Sequence, residues 1–223
     1  MSKISGITTV CFDIDWTLIS HQSDEAHRLL RLLGLEHNHE FEKQVSNFWE
    51  NLSSQLQNGK PVEKHQVYSI AEKFIPYLRE INLSGKQWYN LQCSIDTPEL
   101  IEGAYEILEY LQNQGYFIVA STNGFIADQM NILKKLDILY FFERIYAWDT
   151  TCAKPHARSL YSLLSTHSND AVIFIGDSVY TDIKLANKLG IKSIGFNLKY
   201  KKGQKRIKPT AQISKLHEIK YYL

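Results

Sequence analysis

The stretch VCFDIDWTLIS, residues 10–20, runs from an apolar segment directly into two carboxylates, Asp13 and Asp15. The β-branched and apolar side chains at 7–12 predict a buried strand. In parallel sheets, ligands bind at the carboxyl ends of the strands, so the residues just past each strand carry the function. This stretch therefore predicts a functional site at the end of the first strand.

The chain after residue 97 alternates short apolar runs with amphipathic helical patterns. Thr97 followed by Pro98 predicts the capped start of a helix. Further helices are predicted around 126–136, 155–167 and 182–189, and strands at 7–12, 116–120, 145–148, 171–175 and 191–196. This alternation predicts parallel βαβ units with right-handed crossovers. We therefore expect an α/β fold with a three-layer, Rossmann-like parallel sheet as its core.

Residues 19–93 break this pattern. They are polar, and their apolar residues recur at helical spacing, as in Phe41, Val45, Phe48 and Leu52. We expect an inserted domain of three to five helices without a strand. The predicted organisation is an α/β core formed by 1–18 and 94–223, with an α-helical cap domain at 19–93.

Charge and cysteine content restrict the function classes. The 223 residues carry 25 basic and 24 acidic side chains, which argues against a nucleic-acid polymer or a membrane surface as partner. The three cysteines have no metal-ligand spacing and indicate a reducing compartment. Since there is neither a signal-peptide pattern nor an apolar run of about 20 residues, we expect a cytoplasmic protein. We expect a monomer or a homodimer.

Polar side chains follow four of the predicted strands. They are Asp13 and Asp15; Thr122 and Asn123; Lys154; and Asp177, Ser178 and Asp182. Two like charges about 4 Å apart repel by roughly 4 kcal/mol at an effective dielectric near 20, so clustered acids indicate a bound cation. Ligand sets made only of oxygen favour Mg²⁺. A lysine and a hydroxyl beside Mg²⁺ suit a phosphate group.

These motifs carry a resemblance to a known family. DxDxT after the first strand, Thr-Asn-Gly after the second, Lys-Pro before a helix and GDSxxxD after the fourth strand resemble the four motifs of the haloacid dehalogenase superfamily. The resemblance covers residues from about 5 to 196 and places the insert where members carry a helical cap. TNGF, the QNG turn and GDSxxxDI are further similar to bacterial 5′-nucleotidases that act on pyrimidine nucleotides.

The resemblance implies two catalytic carboxylates. Asp13 would attack phosphorus and form an aspartyl-phosphate. Asp15 would protonate the leaving oxygen and then deprotonate the hydrolytic water. To do both, Asp15 needs a pKa closer to neutrality than that of a free aspartate, as we expect beside Asp13 and away from water.

The resemblance also implies a metal and phosphate site. Mg²⁺ would be held by Asp13, the backbone carbonyl of Asp15, and Asp177. Phosphoryl oxygens would be bound by Thr122, the amides around Asn123, and Lys154. Ser178 and Asp182 would contact the groups that bind the metal and the phosphate rather than bind them directly. Asp182 would orient Lys154 or a metal-bound water. His37 and His39 are not expected to bind a metal, because residues two apart face different sides of a helix.

Trp16 stands where the family most often has glycine. Two interpretations stay open: Trp16 packs against the hinge of the cap, or it narrows the entrance to the active site and so changes the choice of substrate.

The predicted function is Mg²⁺-dependent phosphomonoester hydrolysis of a small phosphorylated metabolite, with a nucleoside 5′-monophosphate as one candidate. A dehalogenase is disfavoured, because it does not need the second acid, Asp15. The alternatives are a phosphomutase or a sugar-phosphate phosphatase of the same fold, and a non-catalytic phosphate-binding regulatory protein. The core sets the chemistry, while the cap and the loop after the first strand select the leaving group.

Overall fold

The computed structural model describes residues 3–21, 25–56, 58–200 and 206–223. Strands in these residues are β1 Thr9–Phe12, β2 Ile19–Ser20, β3 Glu99–Leu100, β4 Phe117–Ser121, β5 Arg144–Tyr146, β6 Val172–Gly176, β7 Lys192–Phe196 and β8 Ala211–Ile213. Six of them form one sheet in the order β5-β4-β1-β6-β7-β8, and every neighbouring pair is parallel. The predicted fold class is confirmed.

The central position of β1 explains its apolar sequence. All four of its residues are buried, and it pairs with β4 on one side and β6 on the other. A strand with neighbours on both sides and helices on both faces has no solvent-facing side chains. The ladder continues one residue past the strand, where the Asp13 amide donates to the Ile175 carbonyl at 2.8 Å. Asp13 is therefore fixed by the backbone of the sheet.

The helices fall into two groups along the chain. Five lie between β2 and β3: α1 Glu25–Leu32, α2 His39–Gln55, α3 Lys64–Phe74, α4 Tyr77–Glu80 and α5 Gly85–Ile95. The others follow β3 in the chain: α6 Ala104–Asn113 precedes β4, and α7 Ile126–Lys135, α8 Tyr161–Leu164 and α9 Lys184–Leu189 come after β4, β5 and β6. None of the helices in the described residues combines the length and the apolarity that a membrane span requires.

The helical segment α1–α5 has an apolar cluster of its own. Phe41, Phe48 and Trp88 are fully buried within it. The same cluster takes in Phe125 and Trp148, which follow β4 and β5. The helical segment therefore packs against the carboxyl ends of the strands. The division into domains at residues 18 and 93 stays a prediction.

The two crossings between the sheet and the helical segment pair with each other. β2 and β3 form an antiparallel ribbon, with Ile19 opposite Leu100 and Ser20 opposite Glu99. The prediction that 19–93 lacks a strand is therefore wrong at Ile19–Ser20. The predicted helix start at Pro98 is also wrong, because residues 99–100 are held in the ribbon, and α6 begins only after Gly103, whose φ is +83°.

Three other regions differ from the sequence-based expectations. The predicted helix at 155–167 is divided into a 3-10 turn, Ala157–Leu160, and α8. A wide π-type turn, Val179–Ile183, precedes α9 where one helix was expected. Strand β8 was not predicted, because three residues are too few to show an alternating pattern.

Candidate active site

The sheet order brings the predicted site residues to one edge. β1, β4 and β6 are adjacent and parallel, so the residues that follow them meet at their carboxyl ends. Asp13 and Asp15 follow β1, Thr122 follows β4, and Asp177 follows β6. One carboxylate oxygen each from Asp13, Asp177 and Asp182 lies within 4.8 Å of the other two. These three residues are called the acidic cluster below.

A buried ammonium group joins the strand ends. The Lys154 side chain is 2% exposed, and its Nζ donates to Asp13 Oδ1 at 2.6 Å, Asp182 Oδ1 at 2.7 Å and the Ser121 carbonyl at 2.9 Å. An ammonium group has three donors, so each has one acceptor here. Two carboxylates against one ammonium leave this group negative. Lys154 therefore fixes Asp13 and Asp182 without neutralising both of them.

Asn123 holds the backbone that carries Lys154. Its Oδ1 accepts from the Lys154 amide at 2.7 Å, and its Nδ2 donates to the Lys154 carbonyl at 3.3 Å. The same Nδ2 donates to Ser53 Oγ of α2 at 3.0 Å. The side chain of Asn123 is thus occupied by protein partners. Its predicted contact with phosphate stays a prediction and would be made by the backbone amide.

Hydrogen bonds from the turn after β6 hold Asp182 in place beside the Lys154 ammonium. Asp182 is fully buried, and its Oδ2 accepts from the Ser178 amide at 3.0 Å, while Oδ1 accepts from Thr181 Oγ1 at 3.2 Å. Ser178 Oγ caps the turn by accepting from the Thr181 amide at 3.2 Å. A Cβ on Gly176 would lie 2.4 Å from Asp182 Oδ2, so only glycine permits this approach. Asp182 is thus arranged as the partner of Lys154.

The electrostatics of the acidic cluster fit a hard cation. Burial, followed by the charge of Asp182, raises the pKa of Asp13 well above its usual value, although Lys154 opposes the shift. The same two causes raise the pKa of Asp177 to about 7. Carboxylates in such surroundings retain their charge when a cation is bound. Three carboxylates without nitrogen or sulfur ligands suit Mg²⁺.

Asp15 faces different surroundings. Its Oδ1 lies 2.8 Å from His21 Nε2, and its Oδ2 accepts from Gln129 Nε2 at 3.0 Å and from Thr122 Oγ1 at 3.2 Å. Burial acts to raise the pKa of Asp15, but the hydrogen bond and charge of His21, together with Gln129 and Lys154, lower it overall. The predicted shift toward neutrality is therefore wrong in this conformation.

His21 is a site residue that the sequence did not reveal. Its Nε2 faces Asp15 and its Nδ1 lies 2.8 Å from Asp96 Oδ2. Burial acts to lower the pKa of His21, but the hydrogen bonds to the two carboxylates outweigh burial and raise it to about 10. Neither His21 nor Gln129 belongs to a recognisable motif, because both reach Asp15 only through the tertiary fold.

Trp16 occupies a strained position beside His21. Its φ is +62°, in the left-handed region that favours glycine, which gives a physical reason for the glycine common in the family. Its amide donates to the Ile19 carbonyl at 2.7 Å, and its half-exposed ring meets the His21 ring edge-on at 5.6 Å. The ring therefore lies beside the β2–β3 ribbon. Its effect on substrate choice stays a prediction.

Comparisons with known proteins agree with this fold. The family model described as haloacid dehalogenase-like hydrolase matches residues 10–196. The chain belongs to this family. HAD-hydrolase YfnB of Bacillus subtilis (strain 168) is 27% identical over 228 residues, which cover 96% of this chain and 94% of YfnB. The crystal structure of magnesium-bound YfnB has a TM-score of 0.77 at 23% identity, with 96% and 97% of the two chains covered. The predicted superfamily is confirmed.

Two other relatives carry more specific names. Pyrimidine 5′-nucleotidase PynA of Streptococcus pneumoniae (strain ATCC BAA-255 / R6) is 24% identical over 125 residues, 54% of this chain and 53% of PynA. A glyceraldehyde 3-phosphate phosphatase of Pyrococcus abyssi (strain GE5 / Orsay) is 26% identical over 199 residues, 85% of this chain and 81% of that protein.

The buried ion group predicts a large effect of Lys154→Met on stability. Methionine keeps the chain length but leaves Asp13 and Asp182 without their ammonium, and breaking a buried ion pair in this way costs about 3–5 kcal/mol. Lys64→Met is the matched control, because Lys64 pairs with Asp128 at 3.2 Å on the surface, where such pairs contribute about 0–1 kcal/mol. Urea denaturation at neutral pH measures the unfolding free energy of both variants. Equal losses of unfolding free energy would contradict the structural role of Lys154.

Proposed function

We propose that this phosphatase hydrolyses phosphate monoesters of small metabolites through an aspartyl-phosphate on Asp13. The observation that carries the proposal is the grouping of Asp13, Asp177 and Lys154 at the carboxyl ends of the strands, where Asp13 and Lys154 are buried, Asp177 is half-buried and the net charge is negative. Such a group repels a phosphate unless a cation is bound. Mg²⁺ held by Asp13, Asp177 and the carbonyl of Asp15 would offset this repulsion and bind phosphoryl oxygens.

Asp13 is the proposed nucleophile. One of its oxygens is held by Lys154, and its backbone is held by β6, so the carboxylate cannot turn away from the sheet edge. Attack forms a bond between Asp13 and phosphorus, while the bond from phosphorus to the leaving oxygen breaks. Water then attacks the same phosphorus, the bond to Asp13 breaks, and inorganic phosphate is released.

Asp15 is the proposed acid and base. It gives a proton to the leaving oxygen in the first step and takes one from the attacking water in the second. Asp13 must be charged to attack, whereas Asp15 must hold a proton to release the leaving group. The pKa directions in the structure are the reverse, and a cation bound at Asp13 would favour its charged form. The amides after β4 would donate to the phosphoryl oxygens, and the charge of Lys154 beside Asp13 would offset part of the negative charge of the phosphate.

The helical segment α1–α5 is the proposed cap. Its Ser53 contacts Asn123, its Lys64 pairs with Asp128 of α7, and the Val62 amide donates to the Trp148 carbonyl at 2.8 Å. These contacts place helical residues over the loops that carry the proposed phosphate site. We propose that residues 19–93 select the leaving group, while 1–18 and 94–223 carry out the reaction.

Two substrate classes have support. PynA supports a nucleoside 5′-monophosphate, as do the TNGF and QNG sequences. The glyceraldehyde 3-phosphate phosphatase supports a small sugar or triose phosphate, and its similarity extends over 85% of this chain, against 54% for PynA. Both classes are small phosphorylated molecules. A phosphomutase and a non-catalytic phosphate-binding protein are the alternatives that the assays below separate, while cytoplasmic location and a monomeric or homodimeric state stay predictions.

The function is tested with p-nitrophenyl phosphate and Mg²⁺. Asp13→Asn keeps the shape of the side chain but removes the nucleophile, so we expect turnover to fall by at least about 10³-fold. Wild-type activity is expected to disappear with a chelator and to return with Mg²⁺. Residual activity of Asp13→Asn comparable to that of the wild type would refute the proposed mechanism. A screen of nucleoside monophosphates and sugar phosphates, with release of phosphate as the readout, then separates the substrate classes and the mutase.

Trp16→Gly tests the specificity role of the tryptophan. Glycine removes the left-handed strain, which is of order 1 kcal/mol, and also removes the ring beside His21. We expect kcat/KM for p-nitrophenyl phosphate to change by no more than a few fold, while the ranking of metabolite phosphates changes. Tyr140→Ala is the control, because this similarly exposed ring precedes β5 and so lies toward the amino ends of the strands, away from the proposed site. An unchanged ranking in Trp16→Gly would exclude the specificity role.

A further inference from the structure

His21 and Asp96 lie at the two points where the chain passes between the sheet and the helical segment. His21 follows β2 directly, and Asp96 ends α5 just before β3. Their side chains meet at 2.8 Å, from His21 Nδ1 to Asp96 Oδ2. The contact therefore adds a side-chain link to the backbone pairing of Ile19 with Leu100 and of Ser20 with Glu99.

The second ring nitrogen of His21 is directed at Asp15. Nε2 lies 2.8 Å from Asp15 Oδ1, and the side chains of His21, Asp15 and Asp96 are only 15%, 28% and 13% exposed. Hydrogen bonds to charged groups that are partly shielded from water are stronger than those on an open surface. Since each ring nitrogen has a carboxylate partner, the ring is fixed at both ends.

Asp15 receives its other contacts from the opposite direction. Thr122 and Gln129 belong to the α/β part of the chain, after β4 and within α7. His21 belongs to the crossing that leads into the helices. The proposed acid is therefore held between the sheet and the β2–β3 ribbon.

We propose that His21 is a positioning residue that sets the orientation of the Asp15 carboxylate, with Asp96 holding His21 in turn. This inference rests on the proposed function. His21 does not itself replace Asp15 as acid or base, because both of its nitrogens are committed to carboxylates. The chain Asp96–His21–Asp15 thereby connects the proposed acid to both crossings of the helical segment.

The test compares two leaving groups. p-Nitrophenolate leaves without needing a proton, whereas an alkoxide such as that of glycerol phosphate needs one, so only the second depends on a well-placed acid. kcat/KM is the appropriate quantity, since it reports the steps up to release of the leaving group and excludes the later attack of water. We expect His21→Ala to lower kcat/KM for glycerol phosphate by about 10- to 100-fold, a partial loss of the roughly 10²–10⁴-fold that acid catalysis supplies.

For p-nitrophenyl phosphate, His21→Ala should lower kcat/KM by no more than a few fold. Asp96→Asn should lower kcat/KM for glycerol phosphate by a smaller factor than His21→Ala. The double variant His21→Ala/Asp96→Asn should lower it no further than His21→Ala alone, because both residues act through one chain of contacts. Asp96→Asn also keeps the test decisive if His21→Ala does not fold. His65→Ala is the matched control, since its exposed ring pairs only with Glu63, at 3.0 Å, among the described residues.

The outcomes separate this inference from the proposed function. If the wild type hydrolyses neither ester, or Asp13→Asn retains full activity, the proposed function fails. Suppose instead that Asp13→Asn is inactive, but the His21 and Asp96 variants lower kcat/KM equally for both esters or lower it for neither. The positioning role is then overturned while the proposed function stands.

A second inference concerns a separate group in the helical segment. His27 of α1, His37 and Glu42 each offer one ligand atom, and these three atoms lie within 4.8 Å of one another. His37 Nε2 lies 2.7 Å from Glu42 Oε1, and His39 Nδ1 lies 3.3 Å from Glu42 Oε2. His37 precedes the cap residue Asn38 and so lies outside α2, which removes the spacing argument against a metal. The His27 and His37 ring centroids are 5.0 Å apart.

We infer that His27, His37 and Glu42 bind a borderline divalent ion such as Zn²⁺. Two imidazoles and a carboxylate are a ligand set that such ions prefer and that Mg²⁺ does not. The ion would join α1 to the start of α2. It is chemically distinct from the oxygen-only acidic cluster at the sheet edge.

Calorimetric titration with Zn²⁺ in excess Mg²⁺ tests this site. We expect His37→Ala to lose one Zn²⁺ relative to the wild type and to keep its Mg²⁺-dependent phosphatase activity. His65→Ala, which alters an exposed histidine–glutamate pair elsewhere, should keep the full Zn²⁺ stoichiometry. Equal Zn²⁺ binding by the wild type and His37→Ala would overturn the inference.

Discussion

The contact on which the site depends is the buried ammonium of Lys154 between Asp13 and Asp182. It joins the ends of β1 and β6 to the segment that follows β5, and its third donor reaches the end of β4. A buried lysine requires acceptors for all of its donors, and buried carboxylates require a positive partner. Each group therefore fixes the others, and Asp13, the proposed nucleophile, is held in place by the sheet. The remaining negative charge is what makes the edge suitable for a cation and a phosphate.

The two carboxylates of the opening stretch take opposite surroundings although they are two residues apart. Burial and Asp182 raise the pKa of Asp13, while His21 and Gln129 overcome burial and lower that of Asp15. These directions are the reverse of what the two proposed roles need, because a nucleophile must be charged and a general acid must hold a proton. A cation bound at Asp13 would favour its charged form. The difference arises because Asp13 faces the centre of the sheet and Asp15 faces the ribbon that leads to the helices.

Much of the fold could be predicted because β1, β4 and β6 are buried on both faces and read as apolar runs. The residues past those strands could be located for the same reason. The contacts of Asp15 could not be predicted, because His21 and Gln129 come from elements whose approach depends on the tertiary fold. The helix start at Pro98 was wrong because pairing with β2 overrides the local capping signal. The predicted direction of the Asp15 pKa shift was wrong for the same reason, because the hydrogen bond and charge of His21 lower this pKa and the sequence does not reveal the contact.

A crystal structure of the protein with Mg²⁺ and beryllium fluoride, a mimic of a bound phosphoryl group, tests the central claim most directly. We expect beryllium to be bonded to a carboxylate oxygen of Asp13, with Mg²⁺ in contact with both Asp13 and Asp177 and the Lys154 ammonium still on Asp13. Beryllium fluoride bound away from Asp13, or an ion that contacts only one of the two carboxylates, would contradict it.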